Sequence, residues 1–165
     1  MDELTIFEDT VPAQQMRNMV ARLQNALLQM PQADIVTTHK FLPGIYERTI
    51  TIPPWTVLTG AAHKTAYRVR LEKGVIAVNT DDGVKNLIAP CEFDVEAGFQ
   101  RAGRVFEEEV VWTDIYANPD NCRNIDELEG RLYEVPVCGL GDSRKGELTW
   151  LDGSPQQLLQ APRML

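Results

Sequence analysis

Few of the side chains that enzymes most often use for catalysis occur in this 165-residue chain. It has two histidines and three cysteines, and no two cysteines form a CxxC pair. An odd cysteine would be left over if two were bridged, so the sequence predicts a reduced, cytoplasmic compartment. GxSxG, P-loop and dinucleotide-binding GxGxxG motifs are also missing. The common hydrolase and nucleotide-binding signatures are therefore excluded.

Basic charge and long apolar runs are scarce as well. The 16 Lys and Arg residues against 24 Asp and Glu residues give a formal net charge of -8. Nucleic acid is therefore not an expected partner, because phosphate binding needs clustered basic side chains. No apolar run approaches the length of a membrane span, and the first ten residues, MDELTIFEDT, lack the apolar region of a signal peptide. We expect a soluble protein that binds no membrane.

A helix is predicted for the stretch TVPAQQMRNMVARLQNALLQMP, within an N-terminal segment of residues 1–34. Thr10 suits the cap, Pro12 the first turn and Pro31 the end of this helix. Apolar residues recur at steps of three and four and form one stripe. The stripe can pack against the chain's own barrel or against a sister subunit; its members are Met16, Met19, Val20, Leu23, Leu27 and Met30.

Residues 35–135 change to short runs typical of β-strands. AYRVRL alternates apolar and basic side chains, and GVIAVNTDDGVKNLIAP has a hairpin signal at Asp82-Gly83. Many short strands separated by turns predict an antiparallel sandwich or barrel. The stretch NIDELEGRLYEV then predicts a short helix that Asn124 or Asp126 caps.

The last segment, residues 136–165, is rich in Gly, Pro, Ser and Gln. It is either a disordered tail or an extended arm whose Trp150 and leucines dock on a neighbouring subunit. The apolar residues of such an arm and of the helical stripe would be exposed to water in a lone subunit. We therefore expect a homo-oligomer, and a two-fold dimer is the commonest closed form.

The segment around His63 resembles the first motif of the cupin superfamily, G-x5-H-x-H-x3-4-E-x6-G. Anchored on Gly74, the match places Ala61 and His63 at the two histidine positions and Tyr67 at the glutamate position. In the second cupin motif, Arg101 takes the place of the third histidine. The resemblance implies a mainly-β fold: a cupin-type double-stranded β-helix, or jelly-roll barrel, with an N-terminal α-helix and a short C-terminal helix.

Three longer stretches resemble small cupin-like proteins of tailed phages and prophages. These stretches are PGIYERTITIPPWTVLTGAAH, TDDGVKNLIAP and EAGFQRAGRVFEEEVVWTDIYAN. The resemblance implies a phage or prophage protein in the cytoplasm of a bacterial host cell, with the virion as a second location. Other phage or host proteins are then candidate partners.

The aligned cupin positions predict a barrel that holds neither a metal nor another cofactor. Of the four ligand positions only His63 keeps a ligating side chain, and the fixed charge of Arg101 would repel a divalent cation. The other histidine, His39, is expected on the surface before the first barrel strand. No residue is predicted to be catalytic.

Two interpretations of His63, Tyr67 and Arg101 remain. In one, these three side chains line a cavity and bind a small anion such as a sugar acid or sugar phosphate. In the other, which we expect, Arg101 leaves the barrel and pairs with Glu107, Glu108 or Glu109, and His63 is a core residue.

Function follows from these interpretations. We expect a non-catalytic, metal-free structural or interaction module, and the alternative is anion binding or carbohydrate isomerase activity in the barrel. Jelly-roll epimerases pair a histidine with a carboxylate and a tyrosine, and no motif here places the carboxylate. A metal-dependent oxygenase with an unconventional ligand set is the third reading.

Overall fold

Two five-stranded antiparallel sheets form the body of the protein in a computed structural model, which describes residues 13–134 and 159–160. Helix α1 precedes the strands, and helix α2 follows the ninth strand. The elements are α1 (Ala13–Leu27), β1 (Val36–Leu42), β2 (Ile45–Ile52), β3 (Thr56–Thr59), β4 (Tyr67–Lys73), β5 (Val75–Thr80), β6 (Gly83–Ile88), β7 (Cys91–Val95), β8 (Ala102–Val105), β9 (Val110–Ala117), α2 (Ile125–Leu132) and β10 (Leu159–Gln160).

The strand order identifies the architecture. One sheet has the order β1-β2-β9-β4-β7 and the other the order β10-β3-β8-β5-β6. Strands β2 to β9 therefore form two four-stranded layers, and the chain crosses from one layer to the other at every step except from β5 to β6, as in two interlocked Greek keys. The fold is a jelly roll. The predicted mainly-β jelly-roll barrel, with an N-terminal helix and a short C-terminal helix, is confirmed.

Strand β4 shows how the sequence pattern builds the barrel. Tyr67, Val69 and Leu71 are buried, whereas the intervening Arg68 is exposed and Arg70 is half-buried. Successive strand side chains point to opposite faces, so the apolar set of each strand meets the core. On the outer face the two arginines bridge to acidic side chains of neighbouring strands.

Glycine is required where β4 turns into β5. Gly74 has φ +88°, and a Cβ atom there would lie 2.5 Å from the main-chain oxygen of Glu109. Positive φ and this close approach both exclude a side chain. The glycine that anchors the sequence motif is thus a turn residue.

Helix α1 packs on its own chain along part of the predicted stripe. Met16, Val20 and Leu27 are buried, whereas Met19 keeps 45% of its surface exposed. Three of the six stripe residues are therefore buried within the subunit. The predicted cap at Thr10 and the proline at position 12 lie outside the described residues.

Helix α2 and the residues that follow it are hydrogen-bonded to the segment around His63. The side-chain oxygen of Asn124 accepts a hydrogen bond from the main-chain N–H of Glu127 at 3.2 Å, so Asn124 rather than Asp126 is the cap. After the helix, Glu134 N–H donates to the Ala62 carbonyl at 2.8 Å, and Lys64 N–H donates to the Leu132 carbonyl at 2.7 Å. These bonds place Tyr133 against His63.

The expectation that His39 precedes the first strand is wrong. His39 lies within β1 rather than before the first strand, although it is exposed as expected. Strand β1 is largely polar and exposed and lies at the edge of its sheet, so its alternation signal is weak. Strand β8 begins at Ala102, so Arg101 lies in the loop before it.

The predicted division into residues 1–34, 35–135 and 136–165 stays a prediction. Of the tail, Leu159 and Gln160 form β10 and pair with β3, and the remainder, including Trp150, lies outside the described residues. Among the residues that are described, no helix is long and apolar enough to cross a membrane.

Candidate functional site in the barrel cavity

His63 lies inside the barrel within a cluster of aromatic rings. The residue is 4% exposed, and its Nε2 atom lies 2.8 Å from the hydroxyl oxygen of Tyr116. Its ring centroid is 4.0 Å from that of Tyr67, and Tyr133 packs edge-on at 4.9 Å. His63 and Tyr67 therefore both face the interior, and the expectation that His63 is a core residue is confirmed.

Asp114 is the carboxylate that the sequence motifs did not place. Its Oδ1 accepts the indole N–H of Trp112 at 2.8 Å, and its Oδ2 accepts the Tyr116 hydroxyl at 3.1 Å. Burial raises the pKa of Asp114 to about 6, and these two hydrogen bonds and the charges of Arg48 and Arg101 oppose the rise. The group therefore titrates close to neutral pH.

The protonation of His63 follows from the same hydrogen bonds. Because the Tyr116 hydroxyl donates its proton to Asp114, it accepts from His63, which places the imidazole proton on Nε2. The other nitrogen, Nδ1, is buried and forms no hydrogen bond of acceptable geometry, although the Ala61 carbonyl is near. Burial lowers the pKa of His63 to about 3, and the positive charges of Arg48 and Arg101 contribute. The ring is neutral at physiological pH.

Arg101 turns into the barrel, so the expectation that it pairs with the glutamates of residues 107–109 is wrong. Its Nη1 donates to the main-chain oxygen of Asn79 at 3.1 Å. The guanidinium lies 5.1 Å from the Phe93 ring centroid and 4.9 Å from that of Phe99. These aromatic faces and the carbonyl attract the cation more than a solvated carboxylate does. Burial lowers the pKa of Arg101, and the neighbouring Tyr67 phenol opposes that shift.

The three predicted site residues line one cavity together with Asp114. The volume of this cavity is about 60 Å³. At about 10–15 Å³ per water-sized group, this volume holds roughly four to six such groups. A sugar acid or sugar phosphate has more than ten non-hydrogen atoms and would need the cavity to widen. The wall is otherwise mostly apolar and includes Ile50, Ile52, Leu58, Ile76, Val78 and Trp112.

The cavity residues do not fit the metal that cupin-type barrels imply. No three His, Cys, Asp or Glu side chains come together anywhere in residues 13–134 in a way that could hold an ion. His63 and Asp114 supply at most two donors, and Nε2 of His63 already bonds to Tyr116. The Arg101 charge lies in the same cavity wall.

A buried ion pair lies next to the aromatic cluster around His63. Arg48 is 2% exposed, and its Nη1 donates to the Tyr133 hydroxyl at 2.6 Å. Its Nη2 lies 3.3 Å from a carboxylate oxygen of Glu129 on α2. The ion pair neutralises a charge that would otherwise be costly inside the core. It also ties α2 to strand β2 and so positions Tyr133 beside His63.

Strand alternation contained a signal for Asp114 that motif matching missed. Val110, Trp112, Asp114 and Tyr116 share one parity on β9, and three of them are inward-facing core residues. A carboxylate in an otherwise apolar inward series is costly unless it is hydrogen-bonded or functional. Arg48 on β2 is likewise a charged residue within an inward-facing series that is otherwise apolar.

Comparison with known proteins gives similarity in fold. No family model matches the chain, and no curated protein matches it significantly. Among solved structures, the Cupin_2 domain of an XRE-family transcriptional regulator from Enterobacter cloacae is 14% identical, with a TM-score of 0.46, over 52% of this chain and 98% of that one. KdgF from Halomonas sp. is 13% identical, with a TM-score of 0.46, over 56% and 83%. A cupin superfamily protein from Desulfitobacterium hafniense is 10% identical, with a TM-score of 0.44, over 50% and 76%.

These similarities to solved structures concern the fold and carry no information about a reaction. A jelly roll hosts many unrelated functions, so the role of this chain has to be argued from its own cavity.

Proposed function

We propose that this jelly roll is a non-catalytic binding module whose barrel cavity holds a small polar molecule that carries a carboxylate or a similar hydrogen-bond acceptor. One observation carries the proposal: Arg101 and Asp114, of opposite charge, line the same small cavity as His63 and Tyr67. A charged pair in an apolar wall selects ligands by chemistry as well as by size.

Arg101 supplies the donor side of this cavity. Its Nη1 is bonded to Asn79, but its Nε is buried and has no hydrogen-bond partner among the described residues. An unsatisfied buried donor is costly, and a ligand oxygen would relieve that cost. Arginine forms its strongest hydrogen bonds with carboxylates and phosphates.

Asp114 supplies the acceptor side. Each of its oxygens accepts one hydrogen bond from the protein, and a carboxylate oxygen has room for a second. A ligand with both a carboxylate and a hydroxyl group, or a short polyol, therefore matches both sides. The cavity volume limits this ligand to about six non-hydrogen atoms.

The protonation of His63 supports binding rather than catalysis. A general base works best when its pKa lies near the working pH, and the pKa of His63 is lowered to about 3. Such an imidazole is a weak base for abstracting a proton from carbon. It is suited to orienting the Tyr116 hydroxyl, to which it is hydrogen-bonded.

Carbohydrate isomerase activity is the second candidate, and Asp114 is the observation that favours it. Tyr116 joins Asp114 to His63, so histidine, carboxylate and tyrosine are in contact, as that chemistry needs. The substrate would have to be far smaller than a hexose unless the barrel opens. An assay for solvent deuterium exchange into glyceraldehyde tests this candidate, because isomerisation requires breaking a C–H bond.

The wider role remains a proposal that rests on the three stretches of phage-like sequence. They support a structural or interaction module of phage or prophage type in the cytoplasm of the host cell. Binding of a small molecule inside the barrel is compatible with that role, because the outer surface stays available for other proteins.

Thermal unfolding of the full chain with added ligands tests the binding proposal. Acetate, glycolate and glycerol are the small probes, and glucuronate is the large one. A ligand at 100 times its Kd stabilises by about 2.7 kcal/mol, which is a rise in Tm of roughly 5–10 °C for a chain of this size. We expect glycolate to raise Tm and glucuronate to leave it unchanged.

Paired variants make the result specific. Arg101→Met should abolish the effect of glycolate, whereas Arg68→Met, on the outer face of β4, should leave it intact. Equal responses of both variants, or no response of the wild-type chain to any small probe at 50 mM, would refute binding in the cavity.

A further inference from the structure

Among the described strands, β6 is an edge of its sheet, and one side of its backbone pairs with none of them. It is the last strand in the order β10-β3-β8-β5-β6, and no described strand lies beyond it. Five of its six residues are exposed. Edge strands of this kind pair readily with other strands unless they are protected.

The register of the β5-β6 hairpin determines which backbone groups face outward. Ala89 N–H donates to the Gly74 carbonyl at 3.0 Å, which makes positions 74 and 89 a hydrogen-bonded pair. Pairs alternate along an antiparallel ladder, so Lys85 and Leu87 also bond inward to β5. The N–H and C=O groups of Val84, Asn86 and Ile88 therefore point away from the sheet.

The side chains of these residues are equally distinctive. Val84 is 75% exposed and Ile88 is 65% exposed, although both are aliphatic. Their hairpin partners on β5, Asn79 and Val75, belong to the series that alternates with the buried Ile76 and Val78. Val84 and Ile88 therefore project from the outer face of the sheet rather than into the barrel.

We propose that β6 pairs with β6 of a second copy of this chain, antiparallel and with its two-fold axis at Asn86. This register places Val84 opposite Ile88 of the second copy, and Ile88 opposite Val84, on the same face. The outward backbone groups of Val84, Asn86 and Ile88 then meet the identical groups of the other strand. The result is one continuous ten-stranded sheet across the dimer.

Self-complementarity selects a second copy over other strand partners. The two aliphatic residues are equidistant from Asn86, as a two-fold interface requires. The charges are also compatible, because Lys85 would lie opposite Leu87 of the second copy and bonds to Asp82 of its own chain at 3.2 Å. No like charges face each other directly. Because one strand per subunit forms a small contact, we expect a dissociation constant on the order of 10–100 µM.

Sedimentation velocity of the full chain from 1 to 500 µM tests the proposal. We expect a concentration-dependent shift from monomer to dimer. Val84→Lys and Ile88→Glu should each weaken the association at least tenfold. Val36→Lys, a change at another exposed valine on the edge strand β1, should leave it unaltered. A chain that is monomeric at every concentration would overturn the proposal.

The double variant Val84→Lys/Ile88→Glu tests the register. It places lysine opposite glutamate of the second copy, whereas the two positions are too far apart within one strand to pair. We expect it to associate at least as well as either single variant. A loss of about a hundredfold, as for two independent changes, would contradict this register.

Oxidative cross-linking gives an independent readout. Asn86→Cys places two thiols across the two-fold axis at the separation of paired strand residues, within the range that a disulfide spans. Lys85→Cys is the matched control, because its partner in this register is Leu87. A dimer that forms without cross-linking of Asn86→Cys, and that is instead disrupted by Met19→Lys on α1, would show that another surface is the interface.

Discussion

The Nε2 atom of His63 lies 2.8 Å from the hydroxyl oxygen of Tyr116, and the same hydroxyl donates to Asp114 at 3.1 Å. His63 and Asp114, two titratable groups of the cavity, are thus joined through one phenol. Burial moves their pKa values in opposite directions, downward for the base and upward for the acid. At neutral pH His63 is neutral, and Asp114 is mostly ionised but easily protonated.

Tyr116→Phe should destabilise the protein by about 2–3 kcal/mol. The substitution leaves the His63 N–H and one Asp114 oxygen without partners in a buried site, and each unsatisfied group costs about 1–3 kcal/mol. Tyr46→Phe is the control, because its hydroxyl bonds to the exposed His39, which water can satisfy. Urea unfolding measures both. Equal losses in the two variants would contradict the linking role of Tyr116.

Asp114→Asn should remove the contribution of this carboxyl group to the pH dependence of the free energy of unfolding. The folded pKa of Asp114 is raised, to about 6 from 3.8, so the folded state binds the extra proton between these values. Stability from this group is therefore present at low pH and is lost as pH rises through 6. Relative to wild type, Asp114→Asn should gain up to about 3 kcal/mol in the free energy of unfolding between pH 4 and pH 7.

His63→Gln should show the opposite trend. The folded pKa of His63 is lowered to about 3 from 6.5, so its contribution is complete above pH 6.5 and is lost as pH falls. Relative to wild type, this variant should therefore lose stability as pH rises from 4 to 7. Denaturant titrations at several pH values measure both slopes. Differences of the same sign for the two variants would show that these groups do not titrate as described.

Arg101→Ala should cost about 2 kcal/mol. It removes the hydrogen bond to Asn79, two cation–aromatic contacts and the packing of the arginine stem. Arg101→Met retains the packing and should cost about half as much. Chemical denaturation checks this expectation. A loss below about 0.5 kcal/mol for the alanine variant would indicate that the side chain is solvated instead.

Arg48→Met should be more damaging than any change at the outer-face arginines. It breaks the ion pair between Arg48 and Glu129 inside the core, and removing one partner of a buried pair typically costs about 3–5 kcal/mol. Removing both charges in Arg48→Met/Glu129→Leu should restore a large part of the loss. A double-mutant cycle measures the coupling, and additive losses would mean that the ion pair does not hold α2.

Purified protein should contain less than a tenth of an equivalent of any transition metal, and a chelator should not change its Tm. Two donors beside a guanidinium are too few to hold a divalent ion. Elemental analysis and thermal unfolding with EDTA test this. Near one equivalent of iron, manganese, nickel or zinc that disappears in His63→Gln would disprove it.

Local sequence patterns determined the elements of this protein. The alternation of AYRVRL, the turn at Asp82-Gly83 and the apolar spacing of the first helix each predict the structure found at that place. These patterns suffice because strand and helix periods act over a few residues, and turns depend on one or two backbone angles. The motif resemblance then indicated the barrel in which they combine.

Tertiary structure alone decided which side chains meet in the cavity. Asp114 and His63 are separated by about fifty positions, and only the packing of β9 beside β4 brings them to one hydroxyl group. Arg101 had charged neighbours in sequence, yet it lies against Phe93 and Phe99, because the loop before β8 directs it inward. The energy of a buried charge depends on its surroundings in space, and adjacent letters of the sequence do not contain that information.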